Sequence, residues 1–196
     1  MTLTRLINLA ETRLGFNPTA VIPGTTKQSE MLLLNYEVVA KAFLRGFPWP
    51  EATKRVRLDY SPGYPENLTM FEYQYDLPED CLRPLDLNED ADEKYRVEGG
   101  LIYCNYEEPV LRYTSNIAFE YEGDGVTIDY LAELRYTDTT ADALVWKLAL
   151  TAVSNLAPKM AGLCAQNSQM AYYNAISASG GESREMYDPP ELWTDA

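Results

Sequence analysis

The feature that most constrains the fold is a long apolar stretch that spans residues 138–179. Its first half carries apolar residues at spacings of three and four, which places them on one face of a helix. These residues are Ala141, Leu144, Val145, Leu148, Ala149, Ala152 and Leu156. The opposite side is also apolar, with Trp146, Leu150, Val153 and Ala157, and the only charge between residues 143 and 157 is Lys147. A helix that is apolar nearly all round must be covered on several sides. The sequence therefore predicts a central core helix, or one that meets a neighbouring subunit.

Pro158 divides this stretch, because proline removes a backbone N–H and clashes with the preceding helical turn. A second helix is predicted from about Lys159 to Ser179, and Gly180 and Gly181 are predicted to end it. Its predicted inner face consists of Met160, Leu163, Cys164, Met170, Ala171 and Ala175. The same pattern is also typical of a plain helical hairpin that does no more than complete a core.

Two more amphipathic helices are predicted near the start of the chain. The first has its apolar face at Leu3, Leu6, Ile7, Ala10 and Leu14. Its expected N-cap is Thr2 or Thr4, and Gly15 is expected to end it. In the second helix Ser29 is the expected N-cap and Gly46 the expected end. The apolar repeat of this helix is Met31, Leu32, Leu34, Tyr36, Val38, Val39, Ala42, Phe43 and Leu44.

Beyond Pro50 the apolar period changes to two, which predicts half-buried strands. The alternating residues are Val56, Leu58 and Tyr60, and then Phe71, Tyr73 and Tyr75. Further short strands are predicted at residues 95–97, 101–105, 110–113, 117–121 and 126–130. A turn is predicted at Gly99-Gly100, and residues 86–94 are predicted to form a charged loop.

The order of these elements predicts an α+β fold. Strands inserted between helices from both ends of the chain imply that the terminal helices pack together. We therefore expect a helical bundle with a central antiparallel β-rich lobe. In this arrangement residues 1–50 and 138–196 form the bundle, and residues 51–137 form the lobe.

The charge of the chain limits its partners. The formal net charge is −14, from 16 basic and 30 acidic residues, and the acids lie mostly after residue 60. Such acidity argues against a direct grip on nucleic-acid phosphates, since that binding depends on cationic side chains. It favours solubility, or a surface that DNA slides past without sticking.

The sequence predicts no enzyme, cofactor or metal. It contains no histidine, which removes the commonest general base and the commonest transition-metal ligand. Phosphate-cradling glycine motifs and a nucleophile elbow are also missing. The three cysteines are expected to be small buried hydrophobes. Without an apolar run long enough to cross a membrane or a signal peptide, we expect a soluble protein made in the cytoplasm.

One acidic segment has part of the spacing of a calcium loop. Asp86, Asn88, Asp90 and Asp92 match its early positions, but Ala91 stands where the loop needs glycine. Its twelfth position is also not the glutamate that such a loop requires. A solvated acidic loop is the preferred interpretation.

Aromatic residues are the strongest sign of an interface. The chain has 15 tyrosines and three tryptophans, and such residues are enriched where proteins meet. The candidate interface, with a partner protein or another subunit, consists of Trp146, Leu150, Met170, Tyr172, Tyr173, Tyr187 and Trp193. Ordinary helix packing explains the same residues equally well.

Four segments, in order along the chain, carry a resemblance to a known family. They are residues 45–49 (RGFPW), 71–83 (FEYQYDLPEDCLR), 95–102 (YRVEGGLI) and 134–138 (LRYTD), the last ahead of the long apolar helix. Together they resemble the phage tail tubular protein A family over roughly residues 30–180. The LPEDCLR segment is the most specific of the four.

The resemblance implies a structural virion protein, the head-to-tail adaptor in the neck of a short-tailed phage. It implies a homo-oligomeric ring of twelve copies through which the genome passes without specific binding. The implied partners are the portal protein above, a nozzle protein similar to tail tubular protein B below, and tail fibres. No membrane partner is implied.

Two other functions remain as alternatives. A transient tail-assembly chaperone or scaffold that is not retained in the virion fits the same lack of catalytic groups. A carboxylate-dependent hydrolase of cell-wall glycans would use a pair of acids. Chance pairs are expected in a chain with 30 acidic residues, so the pairs alone say little.

Overall fold

The protein has an α+β fold, as the sequence predicts. The computed structural model describes residues 1–18, 24–60, 71–89, 94–118, 129–131 and 133–182. The described residues form four helices, α1 (Leu3–Arg13), α2 (Lys27–Gly46), α3 (Asp138–Leu156) and α4 (Ala161–Glu182). Between α2 and α3 lie the strands β1 (Thr53–Arg57), β2 (Tyr73–Asp76), β3 (Cys81–Leu87), β4 (Arg96–Glu98), β5 (Leu101–Cys104) and β6 (Val110–Ser115). Single 3₁₀ turns span Pro50–Ala52 and Pro158–Met160.

The helix α3 lies at the centre of a bundle, and this prediction is confirmed. It packs against α1, α2 and α4, and residues on almost every side of it are buried. The Thr137 side chain caps its first turn by accepting a hydrogen bond from the Thr140 N–H. The break at Pro158 is also confirmed, since a 3₁₀ turn there separates α3 from α4.

The two N-terminal helices complete the bundle. Thr2 caps α1, as predicted, by accepting from the Arg5 N–H at 3.2 Å. The predicted N-cap of α2 is wrong, because Thr26 has that position and α2 begins at Lys27. Ser29 instead completes a capping box, with its hydroxyl accepting from the Thr26 N–H at 3.0 Å. The helix therefore starts earlier than predicted, because the Thr26 hydroxyl, three residues before Ser29, is the N-cap.

The strands form two antiparallel three-stranded sheets, with orders β1-β6-β3 and β2-β5-β4. A hydrophobic cluster separate from the bundle core holds residues of both sheets. Its buried members are Leu58, Tyr75, Leu87, Ile102, Cys104, Leu111 and Tyr113. The turn between β4 and β5 is at Gly99-Gly100, as predicted, and both glycines have positive φ.

The predicted charged loop at residues 86–94 is wrong at its start. Asp86 lies in β3 and is buried. Its carboxylate accepts from the Arg112 Nε on β6 at 2.6 Å. A charge inside this region is tolerated because a guanidinium faces it directly across two paired strands. Asp90 and Asp92 lie outside the described residues.

Three other predicted boundaries need correction. Residues 117, 118, 129 and 130 are not in strands, and the rest of the predicted strands 117–121 and 126–130 lies outside the described residues. The family resembled has a strand at the position of residues 134–136. Here these residues form no strand and follow a single bridge between Glu133 and Thr2. Gly180 and Gly181 do not end α4, which continues to Glu182.

Two of the segments that carry the resemblance meet where the bundle joins the sheets. The Arg45 side chain at the end of α2 donates to the Leu82 carbonyl at 3.2 Å. In return the Arg83 side chain donates to the Arg45 carbonyl at 3.1 Å. Trp49 is fully buried beside this joint and donates to the Phe43 carbonyl. These residues therefore set the position of the sheets against the helices.

Glu11 gives the bundle a pH dependence that can be measured. Burial raises the pKa of this carboxyl above its ordinary value, against the opposing effect of the hydrogen bond from Thr26. At a pH between the ordinary pKa and the raised pKa, the folded state therefore keeps a proton that the unfolded state has released. Stability falls as pH rises from the ordinary pKa of glutamate through the higher pKa of the folded state.

We expect Glu11→Gln to remove this pH dependence and to raise stability near neutral pH by about 1 kcal/mol. Urea unfolding at several pH values between 4 and 8 measures both effects. Glu79→Gln is the matched control, because Glu79 is exposed, and its stability profile is expected to follow that of the parent protein. Stability profiles of the parent protein and Glu11→Gln that run parallel over this range would contradict the assignment.

Candidate interface

The helix α4 contains no charged side chain from Ala161 to Gly181, although 23% of the chain is charged. One face of α4 packs on α3 through small residues. The buried members of this face are Cys164, Ser168, Ala171, Ala175 and Ser179. Small side chains at such spacings let two helices approach closely. These small side chains therefore fill the side of α4 that faces α3.

Three of the large residues of α4 lie on its outer face. Leu163, Met170 and Tyr173 are 48%, 53% and 58% exposed. The predicted inner face is therefore confirmed at Cys164, Ala171 and Ala175 and wrong at Leu163 and Met170. Its sixth member, Met160, lies in the 3₁₀ turn before α4 and packs partly buried against the bundle core. Beside Met170 and Tyr173 lies a shallow depression of about 320 Å³, lined also by Gln166, Gln169 and Asn174. We call the exposed residues Leu163, Gln166, Met170, Tyr173 and Asn174 the α4 outer face.

A groove of about 460 Å³ runs between α2, α3 and α4. Its lining residues are Ala42, Phe43, Gly46, Ala143, Lys147, Leu150, Ala165, Ser168, Gln169 and Tyr172. Leu150 is thus the predicted interface residue that α3 contributes to this groove. Most of the lining is apolar, and Lys147 brings the only charge among these residues.

Tyr172 belongs to an aromatic cluster at one end of the groove. Its ring meets Phe43 and Trp49 edge-on, with centroids 5.8 and 6.0 Å away. Burial raises the pKa of its hydroxyl. A Cβ atom at Gly46 would lie 3.1 Å from that hydroxyl oxygen, so glycine gives Tyr172 its place. Tyr172 is therefore half-buried by contacts within its own chain, and only the exposed part of its side chain can contact a partner.

The remaining predicted interface residues are distributed differently. Trp146 is half-buried, with the Arg13 guanidinium 4.7 Å from its ring centroid. Arg13 also forms a 2.9 Å salt bridge to Asp142, so residues of α1 and α3 cover the indole. Tyr187 and Trp193 lie outside the described residues. The structure therefore brings Leu150 and Tyr172 together in the groove, with Met170 and Tyr173 on the α4 outer face.

A second exposed apolar surface was missed by sequence reasoning. Leu34 and Val38, one helical turn apart on α2, are 75% and 71% exposed. Beside them Glu37 and Lys41 form a salt bridge at 2.5 Å. We call Leu34 and Val38 the α2 stripe. Their spacing of four was visible in the sequence, but they were counted with the buried repeat of the same helix.

The described residues offer little chemistry. They contain no group of three or more side chains able to hold a metal ion. Burial raises the pKa of the Cys81 thiol to about 11, so this thiol is a poor nucleophile near neutral pH. The buried Tyr36 hydroxyl donates to the Ala118 carbonyl at 2.6 Å, a structural contact. In the same parts of the chain, no helix has the length and apolar character needed to cross a membrane.

No protein-family model matches the chain, and no curated protein matches its sequence.

Proposed function

We propose that the protein is a structural component of a virion, the head-to-tail adaptor in the neck of a short-tailed phage. In this proposal it forms a ring between the portal protein and the tail nozzle protein. The genome passes through the ring without specific binding, and tail fibres attach nearby. The α4 outer face carries the proposal, because exposed leucine, methionine and tyrosine without neighbouring charge are typical of a surface that another protein covers.

The arrangement of elements supports the proposal. Four segments resemble the tail tubular protein A family in order, and two of them meet at the joint between the bundle and the sheets. There the Arg45 side chain donates to the Leu82 carbonyl, and the Arg83 side chain donates to the Arg45 carbonyl.

The charge of the chain supports the same function. With a net charge of −14, the protein as a whole repels DNA phosphates. A channel for DNA works best when its wall does not retain the DNA that slides past it. The acidic character therefore suits passage of a genome better than binding of a genome.

Quantitative mass spectrometry of purified phage particles tests the proposal. We expect this chain in the particle at about one copy per portal subunit, with the portal as the internal standard. A chain present in lysate and absent from particles would support the alternative, a transient tail-assembly chaperone or scaffold. The uncharged α4 outer face favours that alternative too, since a chaperone also needs a surface for apolar contacts. Retention in the particle separates the two functions.

A further inference from the structure

We propose that copies of this chain associate head to tail, with the α4 outer face of one copy against the α2 stripe of the next. This inference rests on the proposed function and names the two faces that form the ring contact. The occupant of each face is a second copy of the same chain. The argument depends on charge, on exposure and on the placement of the two faces.

Charge points to a second copy as the partner of α4. Two copies that each carry −14 repel one another, and this repulsion is least where the touching surfaces hold no charge. A partner of opposite charge would instead be recognised through acidic side chains, which this chain has in plenty. Between Ala161 and Gly181 there are none. The composition of α4 therefore suits a partner of the same sign.

The α2 stripe comes close to the same condition. Leu34 and Val38 are the most exposed of the large hydrophobic residues described. The charges on Glu37 and Lys41 beside them are bonded to each other and offset one another. The exposed Glu30, one turn before Leu34, adds a single acidic charge at one end of the stripe. The depression beside Met170 and Tyr173 is an open surface lined by α4 residues, onto which branched aliphatic side chains can pack.

The placement of the faces decides how copies join. The α2 stripe and the α4 outer face lie on different helices that both pack on α3. None of Leu34, Val38, Met170 and Tyr173 lines the groove between those helices. A contact between two different faces leaves each copy with one free face of each kind. Addition then continues, and a ring forms where the rotation between neighbouring copies closes on itself. The proposed neck adaptor requires that closure.

Two variants with one damaged face each test the inference. Met170→Glu places a charge on the α4 outer face, and Val38→Glu places one on the α2 stripe. Val97→Glu is the matched control, because Val97 is exposed on β4. Circular dichroism and thermal unfolding establish that each variant folds. Light scattering after size-exclusion chromatography, at increasing concentration of the purified full chain, measures the mass.

We expect the parent protein and Val97→Glu to form rings, and each face variant alone to stay monomeric. A mixture of Met170→Glu and Val38→Glu is expected to stop at heterodimers, because each variant supplies the face that the other lacks. Native mass spectrometry with one variant isotopically labelled identifies these heterodimers. No other arrangement of the two faces predicts that result.

Three results would overturn the inference. A parent protein that stays monomeric at every concentration is one. Dimers of Val38→Glu beside monomers of Met170→Glu are the second, since they indicate a symmetric contact between two α4 helices, which closes as a pair. Rings of both variants are the third. All of these are measured on the isolated chain, so they are independent of the copy number in particles, which tests the proposed function.

Discussion

Leu148→Asp is expected to abolish the cooperative fold. Leu148 is fully buried at the middle of α3, the helix that packs against the other three. An unpaired carboxylate in this position costs several kcal/mol. That cost is a large fraction of the roughly 5–15 kcal/mol that stabilises a typical domain. Loss of the urea unfolding transition and of far-ultraviolet circular dichroism measures the effect.

Thr151→Asp is the control for this experiment. Thr151 lies on the same helix, is exposed, and its hydroxyl donates to the Lys147 carbonyl at 3.0 Å. A new carboxylate there stays in water, and its effect is expected within about 0.5 kcal/mol. A Leu148→Asp protein that unfolds at the same urea concentration as Thr151→Asp would contradict the central position of α3.

Trp49→Ala is expected to cost about 3–5 kcal/mol of stability, the usual range for truncating a buried aromatic residue. The Trp49 indole stacks on Phe43 with ring centroids 4.8 Å apart, and it is fully buried. Its N–H donates to the Phe43 carbonyl at 3.2 Å, which leaves that acceptor without this donor in the variant. Urea unfolding followed by circular dichroism gives the change.

Trp146→Ala provides the comparison for that loss. Trp146 is only half-buried, and the truncation removes its contact with the Arg13 guanidinium, worth about 0.5–1 kcal/mol. Because less of the indole is buried, the total loss is expected to be clearly smaller than for Trp49→Ala. Equal losses of stability would mean that the buried Trp49 contributes no more to the fold than the half-buried Trp146.

Much of the fold follows from local sequence signals. The fold class, the central position of α3, the break at Pro158 and the strands β4, β5 and β6 were all predicted. Each depends on a pattern that is complete within one element, such as an apolar repeat or a turn at glycines. The cap at Thr2 is a similar case, because the capping hydroxyl and the N–H it accepts from are three residues apart.

The errors arose where a distant partner decides the structure. Asp86 looks like part of a charged loop until Arg112 is found beside it, 26 residues further along the chain. Leu163 and Met170 were assigned to the inner face of α4 because they are apolar. Small residues fill that face instead, since they let α4 approach α3 closely. A helix with apolar residues on both sides gives no local signal of which side is buried.

The predicted interface was placed only in part for the same reason. Met170 and Tyr173 lie on the α4 outer face, whereas Tyr172 and Trp146 pack against Phe43 and Arg13 within the chain. Neighbouring aromatic residues on a helix point about 100° apart, so composition alone does not separate them. The run without charges in α4 indicates that its exposed side is also uncharged, but it does not indicate which side is exposed.

The bundle is made from both ends of the chain, and this sets the order of events during synthesis. The backbone near the start meets Tyr130 and Leu134: the Thr4 N–H donates to the Tyr130 carbonyl, and the Leu134 N–H donates to the Met1 carbonyl. At about 5–20 residues per second, α3 emerges from the ribosome roughly 5–20 seconds after α2. During that time the apolar faces of α1 and α2 have no α3 to cover them, while the strands between Thr53 and Ser115 are being made. The nascent chain is therefore most in need of chaperones in the interval between its second and third helices.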